Sequence, residues 1–175
     1  MRGPARPGTS GVALVELVLV MVIVLILAAL IAPRFSDFFP ALQVRSAASG
    51  LLAWTAKARA EAALTGARHR LVVDPEGRRF WIDFEPKPLT EPGTFVPLGG
   101  SWGEETLPGD VAFEKLDGLQ PDPDSAARKV LEFEPGGTPA KAATLTVANG
   151  QGDGRTVRVE AGTGTVSILE TEAQP

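Results

Sequence analysis

The chain contains no cysteine. That excludes disulfides, thiolate metal sites and a cysteine nucleophile, and it leaves the redox compartment open. A single histidine, His69, is too little for a histidine-built metal centre, and a Ser-His-Asp relay finds no partner pattern around it. An excess of positive charge is missing as well. Seventeen Lys and Arg stand against 21 Asp and Glu, giving a formal charge of −4, so bulk charge argues against DNA as a partner. The glycine-rich run Gly150-Gln151-Gly152-Asp153-Gly154 lacks the Lys-Ser/Thr of a phosphate loop and is flanked by strand-like residues. These absences disfavour catalysis, and with it a cofactor or a small-molecule substrate.

The chain's apolar residues are concentrated near its start. A short basic leader broken by proline and glycine, residues 1–11, should hold no helix. From Val12 to Ile31 every residue but Glu16 is apolar. About 20 helical residues rise roughly 30 Å, the thickness of a hydrocarbon core. The run is too long for the core of an ordinary secretory signal, and Leu30-Ile31-Ala32 offers no small-x-small exit. Arg2 and Arg6 precede it, which places the amino terminus in the cytoplasm and the rest of the chain outside.

Glu16 is the informative residue. A carboxylate within a lipid-facing helix costs several kcal/mol unless it finds a partner, and its own helix offers no cation on that face. A bland alternative places it, protonated or hydrated, among the headgroups. A cut just before Val12 would free an α-amino group at the membrane surface, and a neighbouring copy's amine would then neutralise Glu16 in a packed bundle. The arrangement suggests proteolysis followed by assembly.

Gly11 followed by Val12-Ala13-Leu14-Val15-Glu16-Leu17 and an unbroken apolar run resembles the class III signal of prepilins and pseudopilins. The resemblance implies cleavage by a membrane peptidase between Gly11 and Val12, methylation of the new terminus at Val12, and a filament-assembly role for Glu16. It also implies a helix kink at Pro33. The family usually carries Phe where this chain has Val12. Val44-Arg45-Ser46-Ala47-Ala48-Ser49 and Ala58-Arg59-Ala60-Glu61-Ala62 are similar to the H-type minor pseudopilins of type II secretion and to minor type IV pilins. So are Phe133-Glu134-Pro135-Gly136-Gly137-Thr138, an F-x-P-x-G segment, and Val157-Arg158-Val159-Glu160 before Gly162-Thr163-Gly164. The partners implied are other pseudopilins, major and minor, met through their amino-terminal helices, together with prepilin peptidase, the inner membrane and the secretion assembly platform. The location implied is the bacterial inner membrane, single-pass, with the head in the periplasm and moving into a pseudopilus. No cofactor or metal is implied.

The remainder reads as an α+β, type IV pilin-like domain: a leader (1–11), a membrane helix (12–32), a stalk helix (33–65) and an antiparallel β-rich head (66–175). Ala48, Leu51, Leu52, Thr55, Ala58 and Ala62 recur at helical spacing over 41–65, and Gly66 is a stop. Pro33 and Pro40 predict a kink or melted turn between the two helices. The period then changes to two, with strands expected at 68–74, 79–85, 111–116, 129–134, 143–148, 155–161 and 164–169 around an Asp74-Pro75-Glu76-Gly77 turn. Residues 86–110, rich in Pro and Gly, are expected to form a long functional or mobile loop.

Other candidate sites have bland alternatives. Asp122 and Asp124 in Gln120-Pro121-Asp122-Pro123-Asp124-Ser125 fit a polar turn better than a calcium loop, which needs six to eight oxygens; Asp153 is similar. His69 reads as a strand surface residue. Arg59 reads as a snorkelling or salt-bridged side chain. Trp102 fits either loop packing or a partner contact. Arg68, Arg70, Arg78 and Arg79 cluster at the first hairpin and are the one basic face that a DNA-uptake pilin could use.

Overall fold

The computed structural model describes residues 10–36, 38–100 and 102–170, and, in the amino-terminal helices, the side chains of residues 14–28 and from Phe39 onward. The leader up to Thr9 lies outside the described residues. The chain divides into two units, Met1–Phe39 and Pro40–Pro175.

Helix α1 spans Ser10–Ser36 and α2 spans Phe38–Thr65. The first begins before Val12, so Ser10 and Gly11 are helical despite the leader's composition. It also continues through Pro33. Of the segment between Pro33 and Pro40, where a break was expected, all described residues are helical, and Asp37 lies outside the described residues. Pro40 falls in the first turn of α2, where a missing amide N–H forfeits no intrahelical bond.

The second unit is built on one face of α2. Val44, Ala47, Ala48, Leu51, Trp54, Ala58 and Ala62 are buried at three- and four-residue spacing, the signature of a helix laid against a core. Thr55, buried in the same stripe, returns its hydroxyl to the Leu51 carbonyl at 2.6 Å. Leu52, expected on this face, is only partly buried.

Among the described residues ten antiparallel strands follow in two sheets, where the sequence suggested one head. They are β1 (His69–Asp74), β2 (Arg79–Phe84), β3 (Val96–Pro97), β4 (Glu105–Thr106), β5 (Ala112–Asp117), β6 (Gln120–Asp122), β7 (Ser125–Phe133), β8 (Ala143–Ala148), β9 (Gly154–Val159) and β10 (Val166–Glu170). The first sheet has the order β3-β2-β1-β7-β6, with β4 also on β2; the second is β10-β9-β8-β5. The chain enters the second sheet at β5, returns to the first for β6 and β7, and leaves it again after Phe133, whose last bridge is to Pro139. β5 then joins β8 across the whole β6–β7 hairpin. Inward residues of both sheets, among them Leu71, Phe80, Ile82, Phe133, Leu145 and Val157, form one cluster with α2.

Residues 86–110 are strapped down. β3 and β4 both pair with the edge of β2, Leu98 N–H donates to the Ile82 carbonyl at 2.8 Å, and Leu107 is buried. Trp102 packs edge-on against Trp54 at 5.0 Å, a packing role. Covering a sheet edge in this way removes a template for unwanted pairing.

The F-x-P-x-G segment and the terminal turn meet on α2. Gly136 N–H donates to the Ala62 carbonyl at 3.4 Å. Gly137 (φ +82°) and Gly164 (φ +65°) are both in the left-handed region, and a Cβ on either would fall against Arg59 or its neighbour: 2.8 Å from the Arg59 carbonyl oxygen for Gly137, and 2.5 Å from the Gly137 carbonyl oxygen for Gly164. The Arg59 stem thus lies under both glycines. Gly164→Ala should destabilise the chain by at least about 2 kcal/mol, combining backbone strain with a clash. Gly162→Ala, with a similar φ but open space at the Cβ position, should cost only about 1 kcal/mol. Urea denaturation of the two variants checks the difference; equal losses would show that the approach to α2 carries no weight.

Candidate functional site

Two surfaces stand out. The first is α1. From Leu14 to Leu27 every large apolar side chain is exposed, between 45% and 68%, and Glu16 is exposed among them. A helix apolar on all sides has no place in water alone, so its cover must come from lipid or from other chains. Among the described residues no helix is long and apolar enough to cross a membrane; the described side chains of α1 stop at residue 28. Gly11, Val12 and Pro33 lie within α1, but their side chains are outside the described residues.

The second surface is the outer face of the first sheet. Alternation turns Leu71, Val73, Phe80 and Ile82 toward α2 and turns Arg70, Val72, Trp81 and Asp83 away. The β1–β2 register sets Arg70 opposite Asp83, Val72 opposite Trp81 and Asp74 opposite Arg79. Arg70 is buried, its Nε and Nη2 donating to Asp83 Oδ2 at 3.1 and 3.0 Å and its Nη1 to Asp122 Oδ1 at 3.4 Å. Phe95, from the strap, lies 4.3 Å from the Arg70 guanidinium. Arg68 forks onto Glu85 at 2.8 and 2.6 Å and reaches Glu132 at 2.9 Å. Glu85 also accepts from Gly93 N–H at 2.6 Å, which ties the strap to the sheet. Arg79 bridges Asp74 at 2.8 Å and Glu104 at 3.0 Å.

These contacts shift the carboxyls in opposite directions. The Arg68 fork, with help from Gly93 N–H, holds Glu85 below the ordinary glutamate range. Gly77 N–H and then Arg79 do the same for Asp74. Burial pushes Asp83 up, and the opposing pull of Arg70 and the nearby Trp81 indole does not cancel it.

The arginine cluster therefore does not form a basic face. Arg68, Arg70 and Arg79 are each matched to carboxylates, and Arg78, held at φ +51°, donates to the Gly109 carbonyl at 2.6 Å. His69 is fully buried rather than a surface residue; its Nδ1 lies 3.0 Å from the Ala67 carbonyl oxygen and its ring stacks on Phe84. It shares the parity of inward-facing Leu71 and Val73, so alternation itself puts it on the covered face; its polar ring, not its position, suggested a surface residue. Asp122 is buried and held by Arg70, not in an open turn, while Asp124 is exposed. Asn149 organises the β8–β9 turn, accepting from Gln151 and Asp153 N–H and donating to Asp153 Oδ2 at 3.0 Å.

Sequence reasoning missed Asp83, Glu85 and Glu132 as partners. The turn at Asp74–Gly77 held the signal, since pairing outward from it sets Arg70 against Asp83 and Arg68 against Glu85.

Glu85 and Asp74, depressed in the folded chain, stabilise it above their unfolded values and lose that contribution as pH falls through the folded values; Asp83 acts in the opposite sense. Glu85→Gln should cost about 2 kcal/mol at pH 7, a charged hydrogen-bonded group being lost. It should also flatten the fall in urea midpoint below about pH 4.5. An unchanged acid slope in the variant would remove Glu85 from the account. With its arginines paired, the chain should give no salt-sensitive shift of duplex DNA even at low salt; a shift abolished by substituting Arg68 and Arg79 would restore the basic face.

No curated protein matches the chain. Among solved structures, the fold is similar to the minor pseudopilin EpsH from the type 2 secretion system of Vibrio cholerae, at 16% identity and TM-score 0.57, covering 73% of this chain and 97% of that one. Escherichia coli GspH is similar at 17% identity and TM-score 0.54, covering 74% and 89%. The Pseudomonas aeruginosa type IV minor pilin FimU gives 20% and 0.50, again covering 74% and 89%. These likenesses establish a pilin-like α+β fold with antiparallel sheets. The family model described as type II transport protein GspH matches residues 47–164, most of the chain and the whole stretch from the α2 stripe to the turn at Gly164: the chain belongs to the GspH family, the H-type minor pseudopilins.

Proposed function

We propose that the chain acts mechanically, as a minor pseudopilin subunit of a type II secretion system. The precursor is cut between Gly11 and Val12 by prepilin peptidase, and the new terminus at Val12 is methylated. Residues 12–32 anchor the mature chain in the inner membrane, with the amino terminus cytoplasmic and the head periplasmic. The helices then leave the bilayer and pack with those of other pseudopilins, major and minor, on the assembly platform, and Pro33 bends the helix where it emerges. The heads decorate the outside of a short periplasmic pseudopilus.

The observation that carries this reading is the uncovered apolar helix. Its large apolar side chains are 45% to 68% exposed from Leu14 to Leu27, and burial against neighbouring helices at about 25 cal/mol per Å² is the natural driving force for assembly. Glu16 gives the assembly its register. Its carboxylate, shielded between helices, pairs with the amine at Val12 of an adjacent copy. A minor type IV pilin shares this architecture, as the likeness to FimU illustrates, but the family matched and the paired arginines of the head both favour secretion over DNA uptake.

Mass spectrometry of the membrane-extracted chain should show a mature start at Val12; an intact Met1 or a different cut would refute the processing step. Glu16→Ala should still be cut but should be lost from the filament, because removing one partner of a buried pair costs about 3–5 kcal/mol. Normal co-assembly of that variant would refute the pairing.

A further inference from the structure

The chain contains a single asparagine, Asn149, and a glycine follows it. Asparagine before glycine cyclises readily, because residue 150 carries no side chain to hinder its amide nitrogen. Attack forms a bond from Gly150 N to Asn149 Cγ, the amide proton passing to water. The Cγ–Nδ2 bond breaks and ammonia leaves. Water then opens the succinimide to aspartate or isoaspartate at position 149.

In the folded chain every reacting group is already engaged. The nucleophile, Gly150 N–H, donates to Asp110 Oδ2 at 3.2 Å, and a carboxylate at that place opposes the negative charge left when the proton departs. Asn149 Oδ1 accepts from Gln151 N–H and Asp153 N–H, each at 3.0 Å, and Nδ2 donates to Asp153 Oδ2 at 3.0 Å. The backbone is closed by Asn149 N–H to the Asp153 carbonyl at 3.0 Å and by Gly152 N–H to the Asn149 carbonyl at 3.3 Å. Asn149 is only 8% exposed. Cyclisation therefore needs the side-chain amide to leave three partners and the turn to open.

We propose that Asn149–Gly150 is a self-modification site gated by the fold, shut in the closed β8–β9 turn and reactive once that turn opens. The gate works in one direction. Aspartate at 149 sets a carboxylate where Nδ2 now donates to Asp153, so like charges face each other at hydrogen-bond distance. Isoaspartate adds a methylene to the main chain next to Ala148 and disturbs the register that pairs Ala148 with Gly154. A head that has opened and reacted does not close as before, and loss of the amide records the opening. The site lies wholly in the second unit, so it stands apart from the reading of α1.

The test incubates the full chain in detergent micelles at mildly alkaline pH, with and without guanidinium chloride. Mass spectrometry of the tryptic peptide 142–155 follows conversion of the amide to the acid, and a synthetic peptide of residues 147–153 is the reference without a fold. The folded chain should react at least about ten-fold more slowly than the peptide, and guanidinium should bring the two rates together. Asp110→Ala, an exposed change that frees the Gly150 amide, should raise the folded rate about three-fold. Gly150→Ala, whose Cβ would lie at an ordinary 3.6 Å from Asp110 Oδ2, should all but stop the reaction in guanidinium. Asn149→Asp, which mimics one product, should lower the guanidinium midpoint. The proposal is overturned if the folded chain reacts as fast as the peptide or if Asp110→Ala leaves the folded rate unchanged. It is equally overturned if Gly150→Ala reacts like the parent in guanidinium, or if Asn149→Asp is as stable as the parent.

Discussion

The close approach of small residues along α2 is the constraint on which the rest of the head depends. Ala48, Ala58 and Ala62 are fully buried, and at those positions a larger side chain would hold the sheets away from the helix axis. Because alanine is small, two sheets and two glycine turns can all reach the same helix. Leu51 and Trp54 supply the bulk between them. Trp54 in turn contacts Phe80 at 5.6 Å and Trp102 at 5.0 Å, so one aromatic side chain joins the helix, the first sheet and the strap. A close-packed interior transmits any change of volume at such a point.

The opposite side of the first sheet is organised by charge. Its cross-strand positions alternate arginine with aspartate and glutamate, and the strap that covers them is tied in by Glu85 and Phe95 on this side as well as by Leu107 and Trp102 in the core. Paired in this way, charged residues can occupy nearly dry positions that isolated charges could not. The same pairing removes the positive field that four neighbouring arginines would otherwise produce. Charge composition and charge exposure are separate properties here, and only the second governs what the surface attracts.

The parts of this architecture readable in the sequence were those set by local periodicity. The α2 stripe, the β1–β2 hairpin with its Asp74–Gly77 turn, and the final three strands all follow from spacing within a few residues. The second sheet was not readable, because β5 finds β8 through contacts far apart in the chain, and alternation within β5 says nothing about its partner. His69 was misplaced for a different reason: its spacing sets it on the face of Leu71 and Val73, and its polar ring was read as a surface group against that spacing. Of the candidate site, Glu16 and its apolar surroundings were legible because a lone carboxylate stands out against nineteen apolar neighbours. Asp83 and Asp122 were hidden among ordinary charged residues until the register of the sheet brought them to Arg70.

The two units solve opposite problems with the same forces. The head buries its apolar stripe internally and leaves a surface of matched charges, so it is complete as a single chain. Helix α1 does neither, exposing its apolar side chains and one unmatched carboxylate. A chain with one finished half and one unfinished half is constrained in where it can be stable, because the unfinished half must find cover outside itself. Lipid covers the apolar side chains but leaves the carboxylate unpaired, whereas a bundle of like helices with free amino termini satisfies both. In the proposed function that difference would give transfer from bilayer to filament a direction, with the carboxylate biasing the equilibrium and the apolar surface keeping the chain bound in either state.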